Sequence, residues 1–152
     1  MMVRTMAEAD ARAIAGWHYE GAYSFYDMEQ DPDDLGELLD PANWGSSYFA
    51  VDDECGELVG FFCFALSEPA VVEIGLGLRP DLTGRGLGPS FLETGLAFAS
   101  AQYRPLGFRL AVAAFNTRAI RLYEGAGFRW VRTFVQETNG GQHEFVEMSK
   151  PA

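Results

Sequence analysis

Short apolar runs alternate along this chain with stretches whose apolar positions recur at helical spacing, and turn-forming clusters separate them. The opening "VRTM" predicts a short strand and "EADARAIAGWHYEG" a helix. A polar, aromatic-rich connection, "GAYSFYDMEQ", comes next. "DPDDLGELLD" predicts a second helix, because Pro32 stands just inside its start and acids fill its first turn. "SSYFAVDD", "GELVGFFCFAL" and "AVVEIGLGL" read as three consecutive strands joined by the turns "DECGE" and "SEPA", an antiparallel meander. The segment "LRPDLTGRGLGPS" interrupts the pattern before a helix that runs to about Gln102. A strand over "FRLAVAAF" and a helix over "TRAIRLYEGA", stopped by Gly127, follow. Finally "FRWVRTFVQ" and "HEFVEMS" flank "ETNGG", a hairpin turn.

A strand-helix-strand crossover implies a locally parallel pair, whereas the meander and the hairpin imply antiparallel ones. The order therefore predicts an α/β fold of the α+β kind: a mixed, mostly antiparallel central sheet flanked by helices, with one crossover. At 152 residues, 48% of them hydrophobic and 22% charged, the chain suits one globular domain over residues 1–152. "MMVRTMAEADARAIAGW" has no uninterrupted apolar segment, and no later run is long enough to span a bilayer, which predicts a cytoplasmic location without a membrane partner. Cys55 and Cys63 have no further cysteines to form a framework or a zinc quartet, and read as reduced, structural thiols. No metal-ligand spacing surrounds His18 or His143.

Charge divides the chain. Residues 1–78 hold two arginines against sixteen carboxylates, and residues 79–152 hold nine basic residues against six acidic ones, so −14 and +3 sum to the net −11. An acidic surface repels nucleic acid, which is excluded as a partner. The glycine-rich segment lies in the basic half. Its Gly84, Gly86 and Gly88 permit positive φ and close approach to the main chain between a strand and a helix start, where unpaired N–H groups suit an anion. A tight turn is the plainer reading. The chain's sole lysine is Lys150, so no Walker-type loop is present, and neither "GLGLRP" nor "GLGPSF" completes a dinucleotide fingerprint.

Two motifs separated by one crossover, "TGRGLG" and "NTRAIRLYEGAGF", resemble those of the GNAT superfamily of acyl-CoA N-acyltransferases, across roughly residues 71–128. The resemblance implies acetyl-CoA as cosubstrate. The backbone N–H groups of Gly84, Arg85, Gly86, Leu87 and Gly88 would cradle its pyrophosphate, with the Arg85 side chain adding charge. The main chain of Leu76, Gly77 and Leu78 would hold the pantetheine arm, with a contact from Asn116. Two departures stand out: Thr83 replaces the family's Gln or Arg, and Pro89 has no N–H to donate.

Asn116 is also a good helix N-cap, which alone would explain it. Tyr123, two helical turns on, reads as core from its spacing, while the resemblance makes it the acid that protonates departing CoA thiolate. Glu73, a charge inside an apolar run, is either an outward-facing strand residue or the base that relieves the attacking amine of its proton. The aromatics Trp17, Tyr19, Tyr23, Phe25 and Tyr26 and the acids Asp27, Glu29, Asp31, Asp33 and Asp34 fall where the family binds its acceptor, with Tyr23, Phe25 and Tyr26 as the acceptor-binding candidates; core packing and a solvated face are the plainer explanations for most of them. The expectation is direct attack of an amine on the thioester, without a covalent enzyme intermediate. The acidic half favours a cationic acceptor, a small amine or a protein N-terminus. The competing expectation is a CoA-binding sensor without turnover, and the terminal hairpin could pair with a second copy.

Overall fold

The computed structural model describes residues 1–67 and 69–152. Seven strands form one sheet in the order β1-β2-β3-β4-β5-β7-β6: β1 Met2–Thr5, β2 Tyr48–Asp52, β3 Leu58–Ser67, β4 Val71–Leu78, β5 Gly107–Ala113, β6 Arg129–Thr138 and β7 Gly141–Pro151. Among the described residues only β4 and β5 are parallel, so the mixed, mostly antiparallel sheet read from the sequence is the observed one. The expected "SEPA" turn includes Glu68, which lies outside the described residues.

Among the described residues, four α-helices flank the sheet: α1 Glu8–Ala15, α2 Pro32–Leu39, α3 Gly88–Tyr103 and α4 Thr117–Gly125. Strand alternation sends neighbouring residues to opposite layers. Phe62 joins Phe91, Leu92, Val72, Val146 and Met148 under α3 and α4, while Phe61 joins Ile14, Leu38, Ala50 and Tyr48 under α1 and α2. Arg4 pins α1 to the sheet edge by bonding both Asp10 and Asp52 at 2.6 Å.

The first helix is shorter than its sequence pattern. It ends at Gly16, whose N–H closes back on Ala13 O while Trp17 N–H bonds Ile14 O, and Tyr19 N–H instead binds the buried Asp27 carboxylate at 2.8 Å. The aromatic connection folds as 3-10 turns over Gly21–Tyr26 and Met28–Gln30. At the far end of the chain, Asn139 and Gly140 turn the β6–β7 hairpin with φ of 52° and 75°, the pattern of a primed turn. This turn reaches back over the sheet, where Asn139 Nδ2 donates to Phe25 O at 2.7 Å and Thr138 Oγ1 to Asp31 Oδ2 at 2.6 Å. Among the described residues, no helix is long and apolar enough to cross a membrane.

Candidate active site

The sheet splits at its one parallel junction. β4 and β5 pair only where Val71, Val72 and Glu73 face Gly107, Phe108 and Arg109. Beyond that rung β4 stays with β3 and β5 stays with β7, leaving the edge of β4 from Ile74 to Leu78 unpaired on the β5 side. Arg79 N–H bonds Val59 O on β3, so backbone alternation turns the peptide groups of Leu76 and Leu78 into the split. A cavity of about 790 Å³ fills the split, with Ile74 to Leu78 on one wall and Leu110 to Val112 on the other. Tyr19 caps the mouth of this edge, donating its hydroxyl to Leu78 O at 2.8 Å.

At the end of β4 the chain passes through a 3-10 turn, Pro80–Leu82, into the glycine loop. Gly84 and Gly86 have φ of +73° and +77°, a conformation that side-chain-bearing residues rarely hold. Gly88 opens α3 where a Cβ would meet Leu122 of α4 at 3.2 Å. None of the consecutive N–H groups of Gly84, Arg85, Gly86, Leu87 and Gly88 has a protein acceptor among the described residues. A row of free donors at a helix start, opening onto an unpaired strand edge, fits a phosphorylated chain whose own amides continue the β-ladder.

The second motif closes the cavity from α4. Asn116 is the N-cap, its Oδ1 accepting Ala119 N–H at 3.1 Å, and its Nδ2 donates to the Tyr26 hydroxyl at the same distance. That hydroxyl also accepts Ala113 N–H at 3.3 Å, which leaves its own proton for a further acceptor. Tyr123 is buried against Ile120 and Phe128, yet lines the cavity, and its hydroxyl bonds no partner among the described residues. Burial, with the neighbouring Tyr26, holds that phenol above its ordinary range, so it stays protonated and keeps a proton to donate.

Tyr23, Phe25 and Tyr26 line the same cavity, as the sequence suggested. Phe25 is the centre of this wall, with ring centroids 4.9 Å from His143, 5.4 Å from Tyr26 and 5.7 Å from Phe115. Asp27, Asp31 and Asp34 also line it. Loss of surrounding water raises the Asp34 carboxyl above its usual range, reinforced by Asp31, Glu37 and Asp33.

The structure does not bring Glu73 to the cavity. It sits on the last paired rung, before the split opens, and its Oε1 accepts Arg109 Nη2 at 2.7 Å and Nε at 2.9 Å. Arg85 and Leu87 are absent from the main cavity wall, and Arg85 lines a second cavity outside it. Among the contributors that were not singled out from the sequence as site residues are Cys63, Tyr48, Arg118 and Arg121. Cys63 reaches the cavity because the residue opposite it on β4 is Gly75, which has no side chain to cover it. Burial pushes its thiol up to about 11, which makes it a poor nucleophile at neutral pH.

Comparison with known proteins gives the same assignment from an independent direction. The model of the acetyltransferase (GNAT) family matches residues 10–128. Mycothiol acetyltransferases of Salinispora tropica and Thermobispora bispora are 31% and 34% identical, each over 80% of this chain. The chain spans about two fifths of the length of these curated relatives, 39% and 41%. Among solved structures, a spermidine N-acetyltransferase chimera from Vibrio cholerae and hSSAT superimposes with a TM-score of 0.80 at 22% identity, covering 99% of this chain and 94% of that one. The Vibrio cholerae spermidine N-acetyltransferase in complex with CoA and spermine gives 0.78 at 20% identity over the same shares, a likeness of fold. By the family model and by these relatives, the chain belongs to the GNAT family of acetyltransferases.

Proposed function

We propose that this protein transfers the acetyl group of acetyl-CoA to the nitrogen of a small cationic amine, by direct attack while both are bound. The observation that carries the reading is one continuous surface: the glycine loop at Gly84, Gly86 and Gly88, an open strand edge, a Tyr123 hydroxyl without a partner among the described residues and three carboxylates around a single cavity. The loop N–H groups take the pyrophosphate, and Leu76 and Leu78 pair with the pantetheine amides. Tyr123 donates its proton to the departing thiolate.

The acceptor enters from the side of Asp27, Asp31 and Asp34. An alkylammonium is deprotonated in only about one molecule in two thousand at pH 7, so its proton needs a destination. Glu73 is held by Arg109 away from the cavity, and Asp34, with its raised carboxyl, is better placed to receive that proton directly or through water. The protonated Cys63 thiol supports direct transfer over an acetyl-enzyme. A small amine is favoured over a protein N-terminus because Thr138 and Asn139 of the hairpin turn tie down the acceptor-side wall. The names of the relatives, which speak of mycothiol and spermidine, support a small amine-bearing acceptor.

The test is acetyl-CoA turnover with a polyamine, a monoamine of equal length, an amino acid and a short peptide. The polyamine should have the highest kcat/KM, and added salt should raise its KM most. Preference for the amino acid or peptide would overturn the acceptor assignment, and CoA binding without turnover on any amine would make the protein a sensor. Asp34→Asn should raise KM for the polyamine roughly three- to tenfold. The same variant should melt higher than wild type at pH 7. A carboxyl raised in the folded state binds its proton more tightly there than in the unfolded chain, so its stability contribution falls as pH climbs through the carboxylate range. The advantage of the variant should therefore vanish in acid, where both states are protonated.

A further inference from the structure

Five arginines of this acidic chain are ion-paired: Arg4 with Asp10 and Asp52, Arg12 with Glu8, Arg79 with Asp81, Arg109 with Glu73 and Arg132 with Glu147. Arg85, Arg104, Arg118, Arg121 and Arg129 have no carboxylate partner among the described residues, although the chain holds 22 acids against 11 basic residues. Three of them, Arg85, Arg118 and Arg121, belong to the surroundings of the glycine loop. Arg85 is within it, a Cβ on Gly84 would stand 3.7 Å from Arg118 Nη1, and Arg121 lines the cavity that the loop opens onto.

Arg118 is also held in place. Its guanidinium carbon lies 4.2 Å from the centroid of the Tyr23 ring, a cation-π contact that reduces the freedom of a long side chain. A second cavity of about 820 Å³ lies beyond this pair, lined by Tyr19, Tyr23, Thr83, Arg85 and Arg118 among others. Tyr19, Tyr23, Thr83 and Arg118 line both cavities and so form the partition between them. The hydroxyl of Thr83 is spent on Pro80 O at 2.7 Å, so the residue standing where the resembling motif has Gln or Arg offers the loop no side-chain donor.

We propose that Arg118 is the phosphate clamp of this chain: across the partition its guanidinium supplies the charge that Thr83 lacks, and it grips the phosphates of the nucleotide end together with Arg85. The proposal rests on the reading that the split takes CoA. A planar guanidinium with several donors suits two phosphate oxygens at once, and its stacked position means that little ordering remains for the ligand to impose. Because Tyr23 belongs to the acceptor-side turn, phosphate engagement and the acceptor wall share one contact.

Calorimetry with CoA and with pantetheine, which has no phosphate, tests the clamp. Arg118→Gln should weaken CoA at least about tenfold and leave pantetheine unchanged, with Arg118→Lys recovering part of the loss. Arg129→Gln, the same charge change on β6 away from the loop, should bind CoA as wild type does. Thermal melts of the variants should match wild type, since Arg118 is exposed. CoA affinity within twofold of wild type in Arg118→Gln, or an equal loss for pantetheine, would overturn the clamp alone. A wild-type chain that does not bind CoA would overturn the functional reading and the clamp with it.

Discussion

Tyr123→Phe should lower kcat by at least about tenfold while leaving stability and CoA affinity nearly unchanged. The substitution keeps the ring that packs on Phe128 at 6.0 Å between centroids and removes only the hydroxyl. Since that hydroxyl bonds no partner among the described residues, its loss strands no buried group, and Tm should move by no more than about 2 °C. A positioned acid typically contributes about 10²- to 10⁴-fold to a step in which it transfers its proton, and an interaction confined to the transition state appears in kcat rather than in substrate binding. The Tyr26 hydroxyl, whose proton is also uncommitted, could rescue part of the rate, which is why tenfold is the floor. Steady-state kinetics and one melting curve decide, and a rate within twofold of wild type would end the assignment.

Gly86→Val should be nearly as damaging through a different route, with CoA weakened at least about tenfold. At φ of +77° a β-branched residue is strained, so the loop must rearrange and its row of N–H groups loses alignment. No atom lies within 4 Å of where the new Cβ would be, so the damage falls on the loop's conformation and not on core packing. Arg85→Ala should cost less, because that side chain faces the second cavity and the cradle itself is main chain. Calorimetry showing the reverse order would remove the main-chain cradle from the account.

What the sequence made legible was local. Pro32, the glycines of the loop, Asn116 at its helix start and the Asn-Gly turn each act through their immediate neighbours, and each stands where its chemistry predicts. The first helix was overextended because the signal that ends it is partly distant: Asp27 draws Tyr19 N–H away from helical bonding, and no periodicity records that. Glu73 illustrates the same limit in a strand. Alternation tells which face a residue takes, whereas the rung at which β5 leaves β4 depends on how β5 pairs with β7 near the end of the chain. Cys63 entered the cavity through a gap left by Gly75 on another strand. Arg118 carried one readable hint, an arginine in the first turn of the second motif, but its value depends on which other arginines find carboxylates.

Mass spectrometry on the intact protein and on its small-molecule products, after incubation with isotopically labelled acetyl-CoA and a polyamine, tests direct transfer most closely. The account predicts label on the amine nitrogen, one free CoA thiol released per acetyl group, and no labelled protein at any time point, in wild type and in Cys63→Ala alike. Label accumulating on Cys63 before it reaches the amine, or CoA bound without consumption of its acetyl group, would contradict it.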